Sequence, residues 1–372
     1  MLTKPEVRPA RPYFSSGPCA KPPGWRPEKL ELSSLGRSHR SALGKDRLKR
    51  CTELMRECLR LPATHRIGIV PGSDTGAFEM AMWSMLGARP VTCLAWESFG
   101  EGWVTDAVKQ LRLDPTIILA PYGELPALHE VDWASDVLFT WNGTTSGVRV
   151  PDGDWIATGR EGLSFADATS AVFAYDLPWD RIDVATFSWQ KVLGGEAAHG
   201  VLILGPRAVE RLESFTPDRP LPKLFRLTKA GKLNEGIFTG ETINTPSMLA
   251  VEDAIAALEW AQGLGGLPAL IGRCEANATA LDRIVRDRNW LTYLAAEPGS
   301  RSITSVCLKV EGADTAFIKR FAALLEDEGA AFDIAGHRDA PPGLRIWCGA
   351  TVDTADLEAL GPWLDWAWEQ CR

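Results

Sequence analysis

From Arg66 onward the sequence alternates short apolar runs with helical patterns, and this alternation limits the possible folds more than any other feature. "RIGIVPG" precedes "TGAFEMAMWSML", and "VTCLAW" precedes "GWVTDAVKQL"; "TIILAP", "DVLFTWNG" and "GLSFADAT" follow, and "HGVLILGP" closes the series. Strands interleaved with helices predict an α/β layer built on a largely parallel sheet. "PSMLAVEDAIAALEWAQGL" (Pro246–Leu264) predicts a long amphipathic helix, with Thr245 as its N-cap and Pro246 at the first helical position. Beyond it the pattern changes to helix, strand, helix, strand, which predicts a smaller α+β unit. The expected organisation is a Pro-rich extended segment over 1–30, a large domain over 31–264 and a small C-terminal domain over 265–372.

Composition removes several functional classes. Net charge is −8, so a nucleic-acid footprint is not expected. "MLTKPEVRPARPYF" has no apolar targeting core, and no uninterrupted apolar run reaches the roughly 18 residues of a membrane helix. The eight cysteines show neither a C-x-x-C pair nor a Cys/His cluster of zinc spacing, so the expectation is reduced thiols in a cytoplasmic protein with no metal centre.

The chemistry concentrates at the ends of the apolar runs, where open α/β sheets place their ligands. In "DVATFSWQKVLGG" a lone Lys191 follows an apolar strand. Lysine can lay its stem along apolar surface and send its ammonium to water. A desolvated lysine instead loses its charge and becomes a nucleophile toward carbonyls. In "GLSFADATS" Asp167 ends the preceding strand, either capping a turn or meeting a ligand cation. "PGSDTGAFE" runs from a strand through Gly72-Ser73-Asp74-Thr75-Gly76 into a helix, a turn whose N–H groups can hold phosphate, although it is not a Walker loop. Each feature has an ordinary structural reading. Together, a lysine, a carboxylate and a phosphate cradle specify pyridoxal 5′-phosphate, which needs an amine for a Schiff base and an acid for its ring nitrogen.

The motifs "FSSGP" (Phe14–Pro18), "SHR" (Ser38–Arg40), "GSDTGAFE", "NGTTSG" (Asn142–Gly147), "ADATS", "WQKVLGG", "NTP" (Asn244–Pro246) and "GHRDAPPGLR" (Gly336–Arg345) occur in that order. On them the chain resembles the phosphoserine aminotransferase family, of the class V, fold-type I pyridoxal-phosphate enzymes, from about Tyr13 to Arg345. The resemblance implies Lys191 as the Schiff-base lysine and Asp167 as the partner of the ring nitrogen. It implies cofactor contacts from Asp74, Thr75, Thr144 and Gln190, with Thr144 near the ring hydroxyl and the others near the phosphate. An aromatic should stack on the ring, with Phe99 preferred and Trp103 the alternative. Asn244 and Thr245 should reach the cofactor of the other subunit in a homodimer. Arg40 and Arg345 match arginines that clamp the substrate, and His39, His337 and Arg338 match groups near its phosphate.

The implied reaction is transamination between L-glutamate and 3-phosphohydroxypyruvate, giving O-phospho-L-serine and 2-oxoglutarate, with the related phosphorylated keto acid of vitamin B6 synthesis as another possible acceptor. The chain departs from the better-known pattern in "PGSDTG", which is not glycine-rich, in Gly143, where an acid is common, and in "RIWCGA" after Arg345. The rival readings are another class V aminotransferase, of serine–pyruvate or alanine–glyoxylate type, and a non-catalytic α/β protein that binds a phosphorylated ligand.

Overall fold

The computed structural model describes residues 2–372. Helix α1 (Ala42–Cys58) comes first, followed by β1 (Arg66–Pro71), α2 (Ser73–Met85), β2 (Val91–Ala95), α3 (Ser98–Thr105), β3 (Thr116–Leu119), β4 (Asp136–Thr140), β5 (Ser164–Asp167), β6 (Val184–Ser188) and β7 (His199–Leu204). These seven strands form one sheet in the order β1-β7-β6-β5-β4-β2-β3. The pairs from β6 across to β3 are parallel, whereas β7 is antiparallel to both β6 and β1. The reversal follows from the link between β6 and β7, residues 189–198, which is shorter than the dozen or more residues of a parallel crossover. That link carries Lys191, so it stays at the edge of the sheet where β5 and β6 end.

Strand periodicity builds two cores. Phe139 and Val201 face one side with α1, whereas Leu138 and Leu202 face the other with α2. Strands β4 to β7 are buried along their whole length, as expected for a sheet covered on both faces.

After β7 come α4 (Pro206–Ser214), a short hairpin of β8 (Thr228–Lys229) and β9 (Lys232–Leu233), α5 (Met248–Leu264) and α6 (Leu267–Arg286). Gly265 and Gly266 join the last two helices at φ +117 and +73, values that favour glycine. A second, antiparallel sheet of β10 (Leu291–Tyr293), β11 (Ser305–Val310) and β12 (Gly343–Trp347) packs with α7 (Thr315–Asp327) and α8 (Thr354–Cys371). Among the described residues no single helix is long and apolar enough to cross a membrane.

The start of α5 differs from the sequence expectation. Ser247, not Thr245, is the N-cap, its hydroxyl accepting from Ala250 N at 3.3 Å. Two further bonds hold residues 242–247 outside the helix: Ser247 N donates to His199 Nε2 at 3.0 Å, and Thr242 Oγ1 donates to the Asn244 carbonyl at 2.6 Å.

The N-terminal segment is extended, as its prolines dictate, and it is tied down along its length. Ala10 N donates to Asp356 Oδ1 at 2.6 Å, Trp363 Nε1 donates to the Val7 carbonyl at 2.8 Å and Trp347 N donates to the Phe14 carbonyl at 3.0 Å. Cys19 N then donates to the Gln190 carbonyl at 2.8 Å, which brings residues 16–19 over the Lys191 link.

Candidate active site

A cavity of about 250 Å³ opens at the carboxyl ends of the parallel strands. Lys191 and Asp167 both line it, so the amine and carboxylate separated in sequence converge as expected. Lys191 is only 8% exposed. Its Nζ donates to the Ser16 carbonyl, and Gly17, whose φ of +148 favours glycine, lets the chain pass directly beside that nitrogen. Burial pulls the Lys191 amine below its usual pKa. The charge of Arg345 adds to this, whereas Asp167 and Glu97 work against it. The adjacent Cys19 thiol is pushed up to about 12 by its own burial and stays neutral.

Asp167 ends β5 with both oxygens engaged. Oδ1 accepts from Thr169 N and Oδ2 from Trp103 Nε1, each at 3.1 Å. Asp74, expected near a phosphate, lines the cavity with its buried carboxyl beside Asp167. Burial, and then the charge of Asp167, raises Asp74 well above the ordinary aspartate range. Ser73 and Thr75 line the cavity beside it at the first turn of α2. That turn is tight enough that a Cβ on Gly76 would strike the Pro71 carbonyl.

Thr144 lines the opposite wall. Its hydroxyl bonds Ser170 Oγ, and its carbonyl accepts from Ser305 Oγ at 2.6 Å, so the second sheet braces this loop. Gln190 also lines the cavity, with Oε1 buried and without a partner among the described residues. Asp74 Oδ1, Thr140 Oγ1 and Thr169 Oγ1 are in the same condition. Buried polar atoms are costly when unpaired, so a cavity lined by four of them suits a polar ligand.

Both aromatic candidates line the cavity in different roles. Trp103 is buried, its ring 4.5 Å from Phe78 and its N–H on Asp167. Phe99 is 44% exposed at the mouth, 6.2 Å from the His337 ring. Phe99 thus stands at the mouth, whereas Trp103 lies deeper with its N–H on Asp167.

Arg345 projects from β12 with Nε buried and unpaired, close enough to Lys191 and His337 to perturb both. Burial, then Arg345, lowers the His337 pKa. Arg338 extends into solvent, 3.7 Å from Asp339. His39 and Arg40 lie elsewhere, around a smaller cavity with Lys45, Glu241 and Thr242. Asn244 and Thr245 occupy the neighbouring turn. Within one chain the structure does not bring these four residues to Lys191.

Sequence reasoning missed the Ser16 carbonyl, Ala197, Thr140, Thr169 and the fully buried Glu97. Ser16 and Thr169 lie inside the motifs "FSSGP" and "ADATS" without a role assigned to them, and Glu97 carries a local signal of its own, an acid directly before a helix.

No protein-family model matches the chain. It is 57% identical to the phosphoserine aminotransferase of Methanosarcina barkeri and 56% identical to that of Methanosarcina mazei, in each case over 98% of this chain and 99% of the relative. Its fold superposes on a phosphoserine aminotransferase from Cytophaga hutchinsonii with a TM-score of 0.83 at 19% identity, covering 95% of this chain and 98% of that one. It also superposes on ureidoglycine–glyoxylate aminotransferase from Bacillus subtilis with a TM-score of 0.81 at 14% identity, covering 99% and 94%. At these identities the two solved structures share the fold alone.

Proposed function

The chain belongs to the phosphoserine aminotransferase family, and from that premise we propose that its Lys191 cavity binds pyridoxal 5′-phosphate and transfers the amino group of L-glutamate to 3-phosphohydroxypyruvate. The seven-stranded sheet with its single reversed strand is the fold-type I architecture of such aminotransferases. The observation that carries the reading is the convergence of a desolvated amine, a buried carboxylate and unpaired polar atoms on one cavity.

Bound there, the cofactor supplies an electron sink for charge that develops at the substrate Cα. Asp167 would hold the ring nitrogen protonated, with Thr169 N and Trp103 Nε1 fixing the carboxylate. Asp74 beside it, its pKa raised by burial and then by Asp167, is disfavoured as a second negative charge. Ser73, Thr75, Gln190 and the N–H groups at the start of α2 would receive the phosphate. Thr144 would meet the ring hydroxyl, and Phe99 would cover the face.

Lys191 Nζ, its pKa lowered by burial, would take the proton from the amino acid Cα and return one in the reverse half-reaction. Arg345 offers its fork to the α-carboxylate common to both substrates. His337 and Arg338 stand at the mouth for the phosphate of the oxo acid. His39, Arg40, Asn244 and Thr245 crowd one face of the chain away from its own Lys191, the arrangement needed if they complete the site of a two-fold partner.

A coupled assay with glutamate and a panel of phosphorylated and unphosphorylated 2-oxo acids tests the reading. The expected result is a strong preference for 3-phosphohydroxypyruvate. Equal or better turnover of pyruvate or glyoxylate would overturn the substrate assignment.

A further inference from the structure

We propose that Glu97 is a positioning residue for this reaction: its buried carboxylate clamps the aromatic wall of the cavity to the Thr144 wall and sets the spacing between them. The inference rests on the reading that the cavity holds a flat cofactor ring between those walls. Glu97 is 0% exposed. One oxygen, Oε1, accepts from Phe99 N at 2.9 Å and from Gly100 N at 3.0 Å, capping α3, the helix that carries Phe99 and Trp103. The other, Oε2, accepts from Thr145 N at 3.1 Å and Thr145 Oγ1 at 2.6 Å, on the loop that carries Thr144.

A cap alone does not call for this residue. Ser, Thr, Asp and Asn are the preferred N-caps, and all of them are shorter. The extra length of Glu lets one carboxylate span two elements. The second contact is itself braced, because Thr145 Oγ1 lies 3.2 Å from Ser98 Oγ and 3.3 Å from Tyr122 OH, and Ser98 N donates to Tyr122 OH at 3.0 Å. The loop also sits directly on the Glu97 stem, since a Cβ on Gly143 would come within 2.9 Å of Glu97 Cγ. Among the described residues Glu97 makes no ion pair, so four hydrogen bonds alone offset the cost of burying it. Replacing the carboxylate by an amide turns one acceptor into a donor that faces N–H groups.

The test uses the full chain as Glu97→Gln, Thr145→Val, Thr145→Ser and the Glu97→Gln/Thr145→Val double variant, each titrated with pyridoxal 5′-phosphate and assayed with glutamate. Glu97→Gln should bind the cofactor about tenfold or more weakly, lose most of its induced circular dichroism and drop kcat by at least about tenfold with little change in the glutamate KM, since loosened geometry is costly without loss of a substrate contact. Thr145→Val should move the same readouts less, and Thr145→Ser, which keeps the hydroxyl, should restore them. The double variant should be no worse than Glu97→Gln, because the two groups act as one unit. Wild-type-like cofactor binding, dichroism and kcat in Glu97→Gln, equal impairment of Thr145→Ser and Thr145→Val, or additive losses would overturn the clamp. Should Glu97→Gln fail to fold, the Thr145 pair decides. Wild-type protein that takes up no cofactor would refute the underlying reading as well, whereas normal wild-type uptake with an unaffected Glu97→Gln refutes the clamp alone.

Discussion

Lys191 and Asp167 carry opposite demands on one cavity: the amine must shed its charge, while the carboxylate is held by two donors, Thr169 N and Trp103 Nε1. Lys191→Ala should therefore retain the fold and lose at least about 10²–10⁴ of turnover, the usual scale of general acid–base catalysis. Substantial multiple-turnover activity in that variant contradicts its role. Asp167→Asn should be of similar severity, because an amide cannot keep a ring nitrogen protonated. Arg345→Ala should raise KM for both glutamate and the phosphorylated oxo acid, each of which presents an α-carboxylate. His39→Ala with Arg338→Ala should instead penalise the oxo acid far more than glutamate, which carries no phosphate. Separate measurement of the two half-reactions distinguishes these patterns, and equal losses in both for the double variant would show that the phosphate pocket lies elsewhere.

Elements, rather than single side chains, decide how these residues meet. His199 opens β7 and accepts from the N-cap of α5, so it must be neutral at Nε2, and burial lowers its pKa from 6.5 to about 4. An unfolded chain takes up this proton at about pH 6.5 and the folded chain only near 4. Its contribution is therefore complete above pH 6.5 and is lost as pH falls toward 4. Urea unfolding across this range should show a decline in stability that His199→Gln, whose carbonyl can still accept from Ser247 N, lacks; parallel pH slopes contradict the linkage. Ser247→Ala should cost about 1 kcal/mol as a lost cap, read as a lower Tm, while Thr245→Ala should not. The strand–helix alternation made the sheet legible, and the strand ends made Lys191 and Asp167 legible. The cap of α5 was misread because hydroxyls stand on both sides of Pro246, and only the contact with His199 selects Ser247. Phe99 and Trp103 lie four residues apart on the same helical face, so only their contacts with Phe78, His337 and Asp167 tell them apart, and no local pattern contains those contacts. The four bonds of Glu97 were hidden for the same reason.

At the scale of the whole molecule, the N-terminal segment and the elements of the large sheet line one cavity and β12 brings Arg345 near its Lys191, whereas His39, Arg40 and the turn at Asn244 and Thr245 gather on another face. If that face completes a partner's site, co-expressed Lys191→Ala and Thr245→Arg chains should regain activity, since a mixed dimer collects both defects in one site and leaves the other intact. Mixed dimers that form but stay inactive would refute the shared site. The central claim is that Lys191 is the residue that engages the cofactor. Borohydride reduction of the enzyme loaded with pyridoxal 5′-phosphate, followed by peptide mass mapping, tests it most directly. The account predicts a single covalent addition on the peptide containing Lys191 together with permanent loss of activity; addition at a different lysine, or none at all, would contradict it.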